Sequence, residues 1–358
     1  MGETDICDGW IDSSISPLII SSYWKNDKRL FGKLYPTSLR QQGHDIIRTW
    51  TYYTLLRCYL ETGKRPWNRI LINGLILGPD GRQMHKSLGN IVEPDEVLAK
   101  HGADSIRAGL IKMGAYGEDV PFSWKDMEFS YRFLTKLWNI ARFSSQFIRK
   151  KSKANLTEAD LWILTKLQDL IKYSTEKLDN YQFALAFEAM HNFIWHDFAD
   201  NYLEMIKYRL YDEKSETRDA AIFTLYSCLL NSLKLLAPTT PFITDEIYQN
   251  IFKKFEKKIS IHKTFWPKFE KGFYSKEALE RGEMSKAIIS AIRQYKSKNG
   301  LPLSSEIKEL TIETDKEIEN KIKKALDDIK GTSKASKITF GKAEIPIEGY
   351  KIKISIEI

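Results

Sequence analysis

At 358 residues the chain is long enough for two or three domains, each with its own core, and its 42% hydrophobic and 28% charged content is that of an ordinary soluble globular protein. The formal net charge of +8 favours a polyanionic partner over a membrane or an acidic protein. Three scattered cysteines, Cys7, Cys58 and Cys228, exclude a CxxC zinc site and a disulfide framework, and with no run of 18 apolar residues and no signal-peptide pattern, a reducing cytoplasm fits.

Residues 1 to 24 contain DGWIDSSISPLIISSYW, which suits a loop feeding a short helix; by itself Trp10 reads as a core anchor. From Tyr35 to Gly63, Ile46, Ile47, Trp50, Tyr53, Leu56 and Leu60 recur at spacings of three and four, so an amphipathic helix is expected from about Asp45 to Gly63. Gly43-His44-Asp45 then lies at a helix start, where free N–H groups point outward and a glycine permits close ligand approach, or where Asp45 merely caps the helix. Trp67 to Leu77, rich in Ile and Leu, reads as a strand interrupted by Gly74.

The next stretch, GLILGPDGRQMHKSLGNIVE from Gly74 to Glu93, organises the chain. Pro79 presets φ, Asp80 can bond its own backbone and Gly81 accepts a positive φ, so Gly78 to Gly81 is expected to turn tightly. It delivers an exposed polar loop with Arg82, His85, Lys86 and Ser87, which taken alone could be no more than a solvated turn. Beyond it, Val97, Leu98, Ile106, Leu110 and Ile111 fall on two short helices around Gly102.

From Phe129 to about Phe255 five long amphipathic helices imply a bundle, the second opening on the capping-box pattern Thr157-x-x-Asp160. Their aromatic stripes read as core, and His191 and His196, five apart, do not make a metal pair. Residues 256 to 284 read as a charged linker. The remainder, 285 to 358, reads as helix, strand Ile307 to Ile312, helix Ile318 to Ile329 and two strands, the last alternating strictly through Ile352, Ile354, Ile356 and Ile358.

Together these motifs resemble class I aminoacyl-tRNA synthetases, and among them the archaeal-type valyl-tRNA synthetases. The resemblance is carried by Trp10 within Asp-x-Trp-x-Asp-Ser-Ser, the Gly43 to Trp50 element, WHDFADNYLE (195–204), LAPTTPFITDEIYQ (236–249) and IRQYKSKNGLPL (292–303). Gln83-Met84-His85-Lys86-Ser87 is similar to the KMSKS signature, departing from it at Gln83 and His85; Arg82 is expected to supply part of the missing charge.

The resemblance implies an α/β Rossmann-like half domain over 1–127 with connecting helices, an all-α anticodon-binding helix bundle over 128–255, a linker over 256–284 and a small α+β C-terminal domain over 285–358. It implies ATP-dependent joining of valine to tRNA(Val), with magnesium accompanying ATP. Lys86 and Ser87 are implied as catalytic, Met84, Lys86, Gly43, His44 and Asp45 as ATP contacts, and Trp10, Ile46 and Trp50 as the amino acid pocket. Arg142, Arg149, Lys150 and Lys151 are implied as tRNA contacts, with no protein-held metal and no membrane. The HIGH motif, the first Rossmann half and the editing domain, which lie upstream in the family, are not found. The chain is thus expected to be the C-terminal part of a longer enzyme, inactive alone and partnered by an N-terminal catalytic and editing portion. The alternatives are a non-catalytic tRNA-binding module and an isoleucyl-tRNA synthetase fragment.

Overall fold

A computed structural model describes residues 4–25, 27–114, 117–149 and 155–358. The chain forms two compact units, Met1–Val97 with Met113–Trp124, and Leu98–Lys112 with Lys125–Ile358.

In the first unit, short helices α1 (Gly9–Ser13), α2 (Ser16–Ile20) and α3 (Lys28–Leu34) precede strand β1 (Thr37–Gly43), helix α4 (Tyr52–Thr62) and strand β2 (Trp67–Asn73). β1 and β2 pair in parallel from Thr37↔Trp67 to Gly43↔Asn73, with α4 in the crossover. The expected single strand from Trp67 to Leu77 breaks at Gly74. A Cβ there would lie 1.8 Å from the carbonyl oxygen of Glu118, so only glycine fits, and the chain past the break, β3 (Ile76–Leu77), pairs instead with β4 (Val120–Pro121).

The helix expected from Asp45 begins as a 3₁₀ turn (His44–Ile46) and a π-helical turn (Ile47–Thr51) before α4, and ends at Gly63 with φ +67°. Its buried face differs from the expected one. Trp50, Thr54 and Cys58 are buried, whereas Leu56 and Leu60 are exposed along with Tyr52, Leu55 and Tyr59. The small side chains win the inward face because α1 approaches closely there: Cys58 Sγ donates to the Ser14 carbonyl, and Arg57 donates to the Ile11 carbonyl and, at 2.9 Å, to Ser14 Oγ.

The division between the units falls within α5 (Pro94–His101), and α6 (Ala103–Met113) follows, so the expected domain boundary at residue 127 shifts: residues 98–112 pack with the bundle. Arg107 donates to the carbonyls of Thr239 and Pro238, both at 2.9 Å, and buried Asp104 accepts from Ile243 N at 2.7 Å. The five expected bundle helices are present. They are α7 (Trp124–Ser145), α8 (Glu158–Asp179), a continuous rod of α9 (Phe183–Asn192), a π-helical stretch (Phe193–Tyr202) and α10 (Leu203–Tyr211), then α11 (Arg218–Leu236), and a rod of α12 (Pro241–Ile247), a π turn and α13 (Lys253–Glu256). Among the described residues α11 is long and apolar enough to cross a membrane, but 78% of its apolar window is buried inside the bundle, which accounts for its composition.

The bundle core holds a fully buried ion pair. Asp160 Oδ2 lies 2.7 Å from Arg209, both fully buried, and Asp160 also accepts from Tyr202 Oη at 2.6 Å and completes the capping box at the start of α8. Past a strap of irregular chain, α14 (Lys276–Lys298) runs along α8, with Gly282 pressed so close to Trp162 that a Cβ would come within 2.1 Å of the indole. The expected linker, 256–284, therefore ends at residue 275, and the expected domain start at 285 falls inside a helix. The tail adds β5 (Ile307–Glu313), α15 (Lys316–Lys323), α16 (Leu326–Ser333), β6 (Ala335–Phe340), β7 (Ile345–Pro346) and β8 (Lys353–Glu357), in sheet order β6-β5-β8-β7. The helix expected over 318–329 is thus two helices, and β6 and β7 add to β8 one strand more than expected.

Asp328 of α16 joins the tail to the bundle: its carboxylate accepts from Ala159 N at 3.1 Å, in the first turn of α8, and from Tyr208 Oη at 3.3 Å. Burial pushes Asp328 up from 3.8 to about 6 against the opposing pull of Arg209. An acid raised on folding binds its proton more tightly in the folded state, so its stabilising contribution is present at low pH and is lost as pH rises through 6. Wild type is therefore expected to lose stability relative to Asp328→Asn between about pH 4 and pH 7, by about 3 kcal/mol at 1.36 kcal/mol per unit. Paired melting curves check this, since other titrating groups cancel in the difference.

Candidate functional site

The C-terminal ends of β1 and β2, where parallel strands present ligand sites, carry the Gly43-His44-Asp45 turn. A Cβ on Gly43 would come 2.5 Å from Asp45 Oδ1, so the carboxylate folds back over the glycine. Asp45 stands inside the 3₁₀ turn, whose cap position is Gly43, and this removes the capping alternative. His44 Nε2 lies 2.7 Å from Asp119 Oδ1, which also accepts from Leu75 N at 2.7 Å. The Leu75 N–H and then His44 hold Asp119 below the usual carboxylate range. Asp119 thereby ties the turn to the β2–β3 break. Nothing in the sequence marks it, because it lies 75 residues from His44.

Trp50 is 6% exposed, stacked on Trp67 with ring centroids 5.8 Å apart and covered by the Arg40 guanidinium at 4.1 Å. Trp10 is 41% exposed on α1, and Ile46 is half-buried. The expected pocket residues therefore share one unit, but the Trp50 ring is committed to packing. It can back a pocket and offers little of its own surface.

The polar loop is built around Asn90, which the motif residues by themselves do not single out. Asn90 Nδ2 donates to Asp80 Oδ1 at 3.1 Å and to the Gln83 carbonyl at 3.1 Å, while its Oδ1 accepts from His85 N at 3.0 Å. The expected turn is present: Gly81, at φ +76°, donates to the Gly78 carbonyl at 2.9 Å. Asp80, pulled down to about 2 by Asn90 and Arg82, lies 2.7 Å from the Arg82 guanidinium. Arg82 is thus paired within the turn while its side chain stays largely exposed. Lys86 opens a single 3₁₀ turn (Lys86–Leu88) closed by Gly89 at φ +62°. Lys86 and Ser87 are exposed, with no side-chain hydrogen bond or ion pair among the described residues, and Met84 is half-buried beside them.

In the second unit, Arg149 is paired with Asp219 and Arg142 is exposed at the end of α7; Lys150 and Lys151 lie outside the described residues.

Residues 2–123 match the model of tRNA synthetases class I (I, L, M and V), and residues 160–314 that of the anticodon-binding domain of tRNA ligase. Among solved structures, the fold is similar to the Agrobacterium radiobacter LeuRS–tRNA–LeuAMS ternary complex (TM-score 0.62, 20% identity, 77% of this chain and 34% of that one). It is also similar to Mycobacterium tuberculosis methionyl-tRNA synthetase in complex with methionyl-adenylate (TM-score 0.58, 22% identity, 70% and 52%). Residues 2–123 thus carry a class I tRNA synthetase domain and residues 160–314 a tRNA ligase anticodon-binding domain. Within that class the chain is similar to valine--tRNA ligases, being 43% identical to that of Thermococcus kodakarensis over 98% of this chain and 42% identical to that of Methanothermobacter thermautotrophicus over 100%. It spans 40% of the length of these relatives.

If Asn90 orders the loop, Asn90→Ala should speed tryptic cleavage after Arg82 and Lys86 by about five- to thirtyfold, as expected from removing one or two net hydrogen bonds of about 1 kcal/mol each. Cleavage at the wild-type rate would show that the loop is ordered by other means.

Proposed function

We propose that this chain acts as part of a valine--tRNA ligase, in the cytoplasm, contributing the Lys86 loop to the ATP site and the helix bundle to tRNA(Val) binding. The supporting observation is the loop itself: within a chain 43% identical to a valine--tRNA ligase, the Asn90 scaffold fixes a turn whose Lys86 ammonium remains unpaired. In the first step the valine carboxylate attacks the α-phosphorus of ATP, giving valyl-adenylate and pyrophosphate. In the second, a hydroxyl at the tRNA 3′ end takes the valyl group and AMP leaves. Both steps rest on positioning and electrostatics, with no covalent enzyme nucleophile. The negative charge that gathers on the phosphates as the carboxylate attacks is what Lys86 offsets, with Ser87 and Met84 beside it. Magnesium enters with ATP as part of the nucleotide substrate.

In this reading Asp45 accepts from ribose hydroxyls beside Gly43, whose missing Cβ leaves room for its carboxylate, with His44 held by Asp119. Trp10 and Ile46 form the wall for the branched side chain, backed by Trp50. Arg142 and Arg149 extend the tRNA surface. The remaining catalytic portion is the partner that covers the apolar outer face of α4, where Leu60 is 74% and Tyr59 57% exposed.

In the complete enzyme, Lys86→Ala is expected to lower valine-dependent pyrophosphate exchange by about a hundred- to a thousandfold, the scale for one preorganised stabilising donor, with valine binding nearly unchanged. Gln83→Lys should leave exchange equal or faster. Unchanged exchange in Lys86→Ala would overturn the role given to this loop.

A further inference from the structure

The connection after α13 is tied to the bundle along its length. Asp245 Oδ1 accepts from Ile261 N at 2.9 Å and from Ser260 Oγ at 2.8 Å, Trp266 Nε1 donates to Thr175 Oγ1 at 2.8 Å, and Glu270 N donates to Gln168 Oε1 at 2.7 Å. Taken with α13 before it and Lys276 at the start of α14, the strap from Lys253 to Lys276 carries eight lysines and two carboxylates. Every one of these lysines is exposed, and none forms an ion pair among the described residues. One of the carboxylates, Glu256, already accepts from Tyr226 Oη at 2.6 Å.

The C-terminal tail, residues 299–358, is balanced instead, with eleven lysines against eleven side-chain carboxylates. There Lys321 pairs with Glu280 and Glu317, Lys323 with Glu319, and Lys353 with Glu313. The strap's charge is therefore a local feature, and it concentrates positive potential that only an anionic partner relieves. Among the lysines stand single exposed apolar side chains, Ile259 at 72%, Phe265 at 81% and Phe269 at 45%, with Phe269 in ring contact with Tyr274 at 5.6 Å. A bilayer surface calls for a continuous apolar face along a helix, which the strap lacks. Cations interleaved with separate aromatic platforms fit unpaired nucleotides, whose phosphates the lysines track and whose bases stack on rings.

We propose that the strap from Lys253 to Lys276 is an RNA-binding surface, with the lysines on the phosphate backbone and Phe265 as a stacking platform for an unpaired base. This rests on the reading of the chain as a tRNA-acting protein and assigns contacts apart from Arg142 and Arg149. The test is fluorescence anisotropy of the full chain with a tRNA(Val) transcript over a series of salt concentrations.

In Lys254→Gln/Lys257→Gln/Lys258→Gln the slope of log affinity against log salt should fall by about two to three, at about 0.7–0.9 for each phosphate that a wild-type lysine neutralises. Phe265→Ala should weaken binding roughly five- to 150-fold with the slope unchanged. Melting temperatures equal to wild type show that both variants fold. If wild type binds and both variants match it in affinity and slope, the strap is not the surface, and the tRNA reading stands. If wild type binds no RNA at low salt, the tRNA reading itself fails, and this inference with it. Capture of wild type by phosphatidylserine vesicles, abolished in the triple variant while RNA binding persists, would also overturn the inference.

Discussion

The second unit depends on the buried pair between Asp160 and Arg209. Two charges without water are costly, and such a pair is tolerable only when the remaining hydrogen-bonding capacity is largely filled. Here most of it is. The Asp160 carboxylate accepts from Arg209, Tyr202 and Thr157, and Arg209 also donates to the Thr217 carbonyl at 2.6 Å, leaving its Nε as the buried donor without a partner. The carboxylate thus starts α8 and fixes α10 against it, and its partner Arg209 holds the turn before α11. Burial lowers the acidity of Tyr202 still further, so its hydroxyl keeps its proton and remains a donor. Removing one partner would strand the other, at a cost of about 3–5 kcal/mol.

The same logic extends to the tail. Asp328 caps the first turn of α8 from outside, and Gly331 lets α16 close onto the Tyr208 ring, where a Cβ would come within 2.5 Å. The tail is therefore seated on the helix that carries the buried pair. Trp162 and Lys166 of α8 reach Glu283 of α14 at 2.9 and 3.0 Å, which adds a second seam along the same helix.

In the first unit the organising constraint is backbone proximity. Gly74 admits the Glu118 carbonyl, and the reversal of strand partner that follows carries the chain into the Asn90-centred loop. A loop pre-ordered by neutral and ionic hydrogen bonds needs little reorganisation when a polyanion arrives, and such preorganisation is where charge stabilisation gains its strength. Arg82 takes part in that ordering through Asp80, and Lys86 stays exposed beside it.

The sequence by itself determined what is local or periodic. The Gly78–Gly81 turn follows from Pro79, Asp80 and Gly81, the capping box from Thr157 and Asp160, the five bundle helices from their apolar stripes, and the family from short motifs such as Met84 to Ser87. Tertiary structure decided what depends on residues far apart. That Cys58 and not Leu56 faces inward turned on how close the end of α1 comes to Cys58, and periodicity cannot report that distance. Asp119 became the support of His44 only because the chain returns after 75 residues. Arg82 found its counter-ion in Asp80, two residues away, because side-chain direction decides such pairing. The unpaired state of the strap lysines was likewise invisible in composition, since a lysine's charge is known from its letter and its counter-ion only from the fold.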